Sequence, residues 1–442
     1  MMRAGIYFLL LLYTLFIPIH YSLAEEADNS MLARLMEDIE IDGYIENETA
    51  FRINNPQRFR KVQNLLQIET RYQTGDIFEL YGLIWLMYDA AYDIERDSFN
   101  EETINAYQTN LRFKEVLREL YLEIDTEMIN LRIGRQQVVW GEAVGLRITD
   151  LINPQDFKEF ILDDFIDSRI PLWMIRLEHN TDDLTIEALF IPDFEPNIPA
   201  RSGSEWEMKS PPPDPDITII RNDTIKPEDG LHNSEWGLRV SDYVAGWDIS
   251  GIYFYTWDDT PTLHANRIGN KMIISPEHHR IHNMGFTFNN AFGRAVIMGE
   301  LSYNIGRYFQ TSSQNDPDGV VKKDFIFYML GSDYTVSENL LINLQFIQRY
   351  ILNHDKGLLE DRIQNIYSIL LNTDFINETL KPSLLAIYDS NNKGLWIRPE
   401  IKYDYNDNTK LTIGADILEG DKGLLGQFDN NDRIFVEVKY SL

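Results

Sequence analysis

Glu277, His278, His279 and His282 form one short stretch with metal-ligand character, because imidazole nitrogens three or four residues apart can serve zinc, copper or nickel. In a strand His278 and His282 share a face and His279 does not, so Glu277, His278 and His282 stand as weak candidates. A solvated loop end is the plainer reading, and no metal or other cofactor is expected. Cysteine is absent, which removes disulfides, thiolate nucleophiles and cysteine metal sites together. None of the 8 histidines accompanies a serine in a G-x-S-x-G elbow, so the chain is not expected to be an enzyme.

A second group of residues suits electrostatics rather than covalent chemistry. Arg132, Arg135, Glu142, Arg147, Asp150, Asp163, Asp164, Asp167 and Arg169 crowd one stretch of the chain. Facing a common water-filled space, such opposed charges create a transverse field that orients polar solutes. Glu119, Glu123, Arg176 and Glu178 would extend that lining, because Leu120, Leu122 and Ile124, and likewise Ile175 and Leu177, fall on the opposite strand faces. Cross-strand ion pairs that merely solvate an interior are the alternative.

The elements that must position these residues follow from periodicity. Segments of about ten residues, alternating apolar and polar, recur from residue 41 to residue 442, as tilted membrane-crossing strands require. Ile342, Leu344 and Phe346, for example, alternate with Asn343, Gln345 and Arg349. Short turns are expected at Thr74–Asp76, Asp125–Thr126, Asn180–Asp183, Ala245–Gly246, Ala291–Gly293, Ser337–Glu338, Asn377 and Asn406–Asn408. Long connectors fall between them at 95–114, 139–171, 193–233, 258–280, 308–321, 351–362 and 419–432. Such alternation of short and long connectors, with about 18 strands, predicts an all-β, antiparallel transmembrane barrel over residues 41–442.

Residues 1–24 have the order of a cleaved signal peptide: Arg3, an apolar run over Ile6–Ile17, then Ser22-Leu23-Ala24. Residues 25–40 are expected to be a short periplasmic segment, with helical spacing over 26–39. The net charge of −30 excludes nucleic acid as a partner. It suits acidic external loops bridged by divalent cations to lipopolysaccharide, and outer-membrane lipid is the expected surrounding partner. Total charge does not define selectivity, which depends on the charges at the constriction.

Within the third external connector, Asn153-Pro154 predicts a helix cap and first turn, continued by Phe157, Phe160 and Ile161 to about Ile166. A helix-bearing loop there can fold inward and narrow the barrel. Gly134 and Gly141 suit close backbone approach. Trp140, Trp173 and Tyr440 suit an interfacial girdle. Pro211-Pro212-Pro213 marks an extended loop. At the end of the chain, Ile434, Val436, Val438, Tyr440 and Leu442 share one face, a strand of the kind that barrel-assembly machinery recognises, although with Leu in place of a terminal aromatic residue.

The run Leu131-Arg132-Ile133-Gly134-Arg135-Gln136-Gln137-Val138-Val139-Trp140-Gly141-Glu142, followed by Asp150-Leu151-Ile152-Asn153-Pro154, resembles a signature of uncharacterised Gram-negative outer-membrane proteins related to alginate-export porins. Shorter similarities lie at Ser234–Arg239, Gly299–Tyr303 and Ile397–Tyr403. The resemblance implies a monomeric 18-stranded barrel in the outer membrane. The expected function is a porin-like channel for a small solute. Family members also resemble siderophore-type uptake proteins and outer-membrane partners of exporters, which leaves a binding component as the alternative.

Overall fold

The computed structural model describes residues 39–209, 215–228, 230–313 and 316–442. The expected signal peptide, the segment 25–38 and the Pro211–Pro213 run lie outside the described residues. Among the described residues twenty-one strands follow one another. The first seven are β1 (Ile39–Arg52), β2 (Arg58–Thr74), β3 (Phe78–Asp89), β4 (Leu117–Asp125), β5 (Ile129–Gln136), β6 (Leu172–Asn180) and β7 (Leu184–Ile191). Then come β8 (Thr218–Arg221), β9 (Glu235–Val244), β10 (Trp247–Trp257), β11 (Thr262–Ile268), β12 (Lys271–Glu277), β13 (Arg280–Phe292) and β14 (Ala295–Gln310). The last are β15 (Val320–Ser337), β16 (Leu340–Ile351), β17 (Ile363–Thr373), β18 (Leu380–Asp389), β19 (Gly394–Asp404), β20 (Thr409–Glu419) and β21 (Arg433–Ser441).

Eighteen of these close into one antiparallel barrel in chain order, because β1 pairs with both β2 and β21. The remaining three, β8, β11 and β12, form a small separate sheet within the long connectors. Closure satisfies every strand edge, the condition for a sheet in hydrocarbon. No helix among the described residues is long and apolar enough to cross a membrane.

Residue parity decides the two faces. On β21 Ile434, Val436, Val438 and Tyr440 are exposed on the outer wall while Arg433 and Phe435 are buried inside. On β16 Leu344 points outward, and Asn343, Gln345 and Ile347 are buried inside. All eight expected short turns join consecutive strands on one rim, and seven of the nine connectors on the other rim are longer. Two short links on that far rim, 53–57 and 390–393, complete the set.

The expected helix after Pro154 does not form. Asn153 uses its side chain as a clamp: Oδ1 accepts from Val138 N at 2.8 Å, and Nδ2 donates to Ile170 O at 2.9 Å and Gln136 O at 3.4 Å. Pro154 O is taken by Ile170 N, and Phe160 adopts a left-handed φ of 59° to bury its ring. One turn, Phe165–Ser168, is the helical part of the connector. Trp140 is likewise not a girdle residue. It is buried within the barrel, donating to Glu187 Oε2 at 3.0 Å and packing edge-on against Phe254. Trp173 and Tyr440 do face outward.

Candidate lumen site

The connector 137–171 descends into the barrel and is held there by the wall. Gly134, near the end of β5 from which the connector leaves, packs tightly on the neighbouring strand: with φ of 143°, any Cβ would lie 2.2 Å from Leu120 O. Gly141 is similarly constrained, since its Cβ would meet Asp150 N at 2.8 Å and Glu300 Oε2 at 3.1 Å. Glu300, on the inner face of β14 and 3% exposed, grips the loop by four donors. Its Oε1 accepts from Glu142 N at 2.5 Å and Ala143 N at 2.7 Å, and its Oε2 from Thr149 Oγ1 at 2.7 Å and Thr149 N at 3.1 Å. Gln345 Oε1 accepts Val144 N nearby. A carboxylate saturated by donors is how a buried charge is tolerated.

Apolar packing completes the seat. Ile148, Phe160 and Leu162 from the loop meet Met329, Ile347, Ile366, Ile387, Trp396 and Leu418, which point inward from β15–β20. On the other flank Val138, Trp140 and Ile152 pack on Leu172, Met174, Leu189, Ile191, Ile252 and Phe254, from β6, β7 and β10. A strap from the next connector crosses above: Trp206 stacks on Phe160 and meets Phe428 edge-on, and Glu205 ion-pairs with Arg52 and Arg60.

The loop therefore packs along the arc from β6 to β20 and leaves a chamber along the other strands and the charged part of β18–β20. This chamber, of about 470 Å³, is lined by β1–β3, β5, Arg118 of β4, β18–β21 and loop residues 156–170. Twelve acidic and ten basic side chains line it, so the overall charge of −30 is not reproduced there. The charges are instead sorted. The loop presents Asp156, Glu159, Asp163, Asp164 and Asp167 against the single Lys158, whereas β18–β21 present Lys381, Arg398, Lys402, Lys410, Arg433 and Lys439 against Glu400, Asp404 and Glu437.

Where the two sets meet they lock. Asp416, fully buried on β20, receives Arg398 Nε at 2.7 Å and Arg433 Nε at 2.8 Å. Arg433 also reaches Glu159 at 3.0 Å, and Lys61 bridges Glu48 at 2.6 Å and Asp163 at 3.3 Å. Asp167 is pushed up to about 7, first by burial and then by Asp163 and Asp164, against the opposing effect of Arg118.

The sequence-derived residues divide between wall, knot and chamber. Arg135, Asp163, Asp164 and Asp167 line the chamber. Arg147, Asp150 and Arg169 are knotted together beneath the surface of the loop, with Arg169 on Asp150 at 2.7 Å. Glu142 lies over Glu300 and accepts Asn289. Arg132 pairs with Glu123 at 2.6 Å and Arg176 with Glu187 at 2.7 Å across neighbouring strands of the inner wall, and Arg176 also reaches Glu178, two residues along β6, at 2.5 Å; Glu119 shares that inward face with Glu123. Glu277, His278 and His282 do not converge. His278 Nδ1 faces Asp258 O at 2.7 Å and His282 Nδ1 faces Tyr253 Oη at 2.7 Å, so neither His278 nor His282 belongs to a metal-ligand group. Sequence reasoning missed Glu300, Asp416 and the lysines of β18–β21. Their parity was legible, but which inward charge meets the loop depends on how the loop descends.

A family profile matches residues 58–359. The chain belongs to the family described as "Protein of unknown function (DUF1302)". No curated protein sequence matches this DUF1302 chain. Among solved structures, OccK2 (OpdF) of Pseudomonas aeruginosa in complex with glucuronate is similar at 12% identity and TM-score 0.52, over 92% of this chain and 98% of that one. OccAB2 of Acinetobacter baumannii gives 12% identity and 0.52 over the same shares, and P. aeruginosa OccK5 (OpdH) gives 11% and 0.51, also over 92% and 98%. At such identities the likeness establishes the fold, that of outer-membrane porins.

Proposed function

We propose that this DUF1302 protein is an outer-membrane porin-like channel that passes a small polar solute passively or down a gradient, with the connector 137–171 setting its aperture. The observation that carries this reading is the eccentric chamber, in which a carboxylate-rich loop opposes a cationic wall. A solute bearing both donors and acceptors is oriented by such a field and loses little hydration as it moves between like-spaced partners. The chamber-lining residues of the proposal are Arg135, Asp163, Asp164 and Asp167. The ion pairs Arg132–Glu123 and Arg176–Glu178, with Glu119, extend the polar wall.

Export behind a signal peptide cut after Ala24, insertion through the β21 strand, and kinship with alginate-export porins belong to the same proposal. Single-channel recording in planar bilayers tests it. A defined open step with solute-dependent block is expected, and a barrel that never conducts would overturn the channel reading in favour of a binding component.

A further inference from the structure

Outside the lumen, β11 and β12 form a hairpin turned by Gly269-Asn270, in which Thr262 stands opposite Glu277 and His264 opposite Ser275. Parity in an antiparallel pair puts His264, Glu277 and His279 on one face and His278 on the other. One ligand atom from each of the three lies within 4.8 Å of the other two. His264 Nε2 and His279 Nε2 are 2.8 Å apart. Two ring nitrogens this close need something positive between them, either a proton or a metal ion.

The surroundings favour an ion. His264 Nδ1 faces Asp318 Oδ2 at 2.9 Å, which keeps the Nδ1 proton in place and aims the Nε2 lone pair inward, the carboxylate–histidine arrangement that orients metal ligands. The Tyr308 ring lies 4.1 Å from the His279 ring and fixes its plane. Asp318 is itself anchored, since Ala265 N donates to its carbonyl at 2.6 Å.

We infer that His264, Glu277 and His279 bind a divalent ion of the zinc class, with Asp318 as the residue that positions His264. A two-histidine, one-carboxylate set leaves a fourth position to water. Zinc–nitrogen bonds of about 2.0–2.1 Å require nitrogens roughly 3.3 Å apart, so the rings separate by about half an ångström and Glu277 swings inward. Bound there, the ion would clip the hairpin to the connector 311–319 at the outer rim, away from the chamber.

The test is Zn²⁺ titration of the purified full-length protein in detergent, with metal content and melting temperature measured in parallel. One zinc per chain and a raised melting temperature are expected. His264→Ala with His279→Ala should abolish binding, Glu277→Gln should weaken it at least about tenfold, and Asp318→Asn should weaken it about 10- to 100-fold. His282→Gln, whose imidazole engages Tyr253, should leave it unchanged. Zinc that fails to bind stoichiometrically, binding that survives the double substitution, or equal loss with His282→Gln would each overturn the site. If the double variant does not fold, Glu277→Gln, checked for the heat-modifiable migration of a closed barrel, decides alone.

Discussion

The two arcs of the lumen are built on opposite principles. From β6 to β20 the inner wall carries Leu189, Ile252, Met329, Ile347 and Leu418, and the descending loop covers them with Val138, Ile148, Phe160 and Leu162. From β18 through β21 to β5 the wall carries charges, and the loop answers with carboxylates. The overlap at β18–β20 is where apolar inward residues near the outer rim give way to lysines lower down. Apolar burial thus fixes the loop on one side, and ion pairs define the space left on the other. A loop needs both: the dry side prevents it from filling the barrel, and the charged side keeps the remaining space wet.

Several substitutions would break this division of labour, and the largest effect belongs to the junction itself. Asp416→Ala leaves Arg398 and Arg433 buried without their shared carboxylate and should cost about 3–5 kcal/mol, read as a lowered melting temperature of the folded barrel. An unchanged melt would show that the two guanidinium groups are satisfied elsewhere. Next, Glu300→Ala removes the acceptor of four loop donors, two of them from Thr149, for about 2–3 kcal/mol of loop seating. Here the expected readout is a larger, flickering conductance in an intact barrel, and a steady wild-type step would detach the aperture from this loop.

The charged side is open to finer tests. Asp167 has its carboxyl raised to about 7 by burial and by Asp163 and Asp164. Because the folded value lies above the ordinary carboxylate value, the folded chain holds the extra proton between the two. Loop stability from this group therefore falls as pH rises from about 4 towards 7. The loop's negative charge grows over the upper part of that range, so cation preference should increase from pH 6 to pH 8. Asp167→Asn should flatten that dependence in reversal-potential measurements, and an unaltered pH profile would place the titration elsewhere. Smallest, Asp164→Asn and Lys402→Gln should move ion preference in opposite directions, each by a factor under about five, the size of a ~1 kcal/mol term at a solvated charge. Shifts of the same sign would dissolve the transverse field.

Much of the barrel was legible because its signals are local. Strand parity and the eight short turns depend on residues within a few positions of one another, as at Ala245-Gly246. The hairpin of β11 and β12 carried a local signal too, Gly269-Asn270 flanked by strand-like residues, but a region read only as connector hid it. The helix after Pro154 failed for a different reason. An asparagine cap motif records that a side chain will accept a backbone proton, and at Asn153 the donor turned out to be Val138, fifteen residues back. The zinc-type cluster shows the same limit: adjacency in sequence pointed to His278 and His282, whereas cross-strand pairing selects His264.

The joint between β1 and β21 has a consequence for assembly. Tyr44 pairs with Ser441 and Arg52 with Arg433, and Leu442 N donates to Gly43 O at 2.9 Å. These are the strand partners most widely separated along the chain, so the order of events is set by topology: neighbouring hairpins can zip early, while the wall becomes continuous only when its two ends find each other. Until then two rows of peptide groups face hydrocarbon unsatisfied, and a half-built cylinder has no resting place in the bilayer. For this architecture, insertion and completion must be one event.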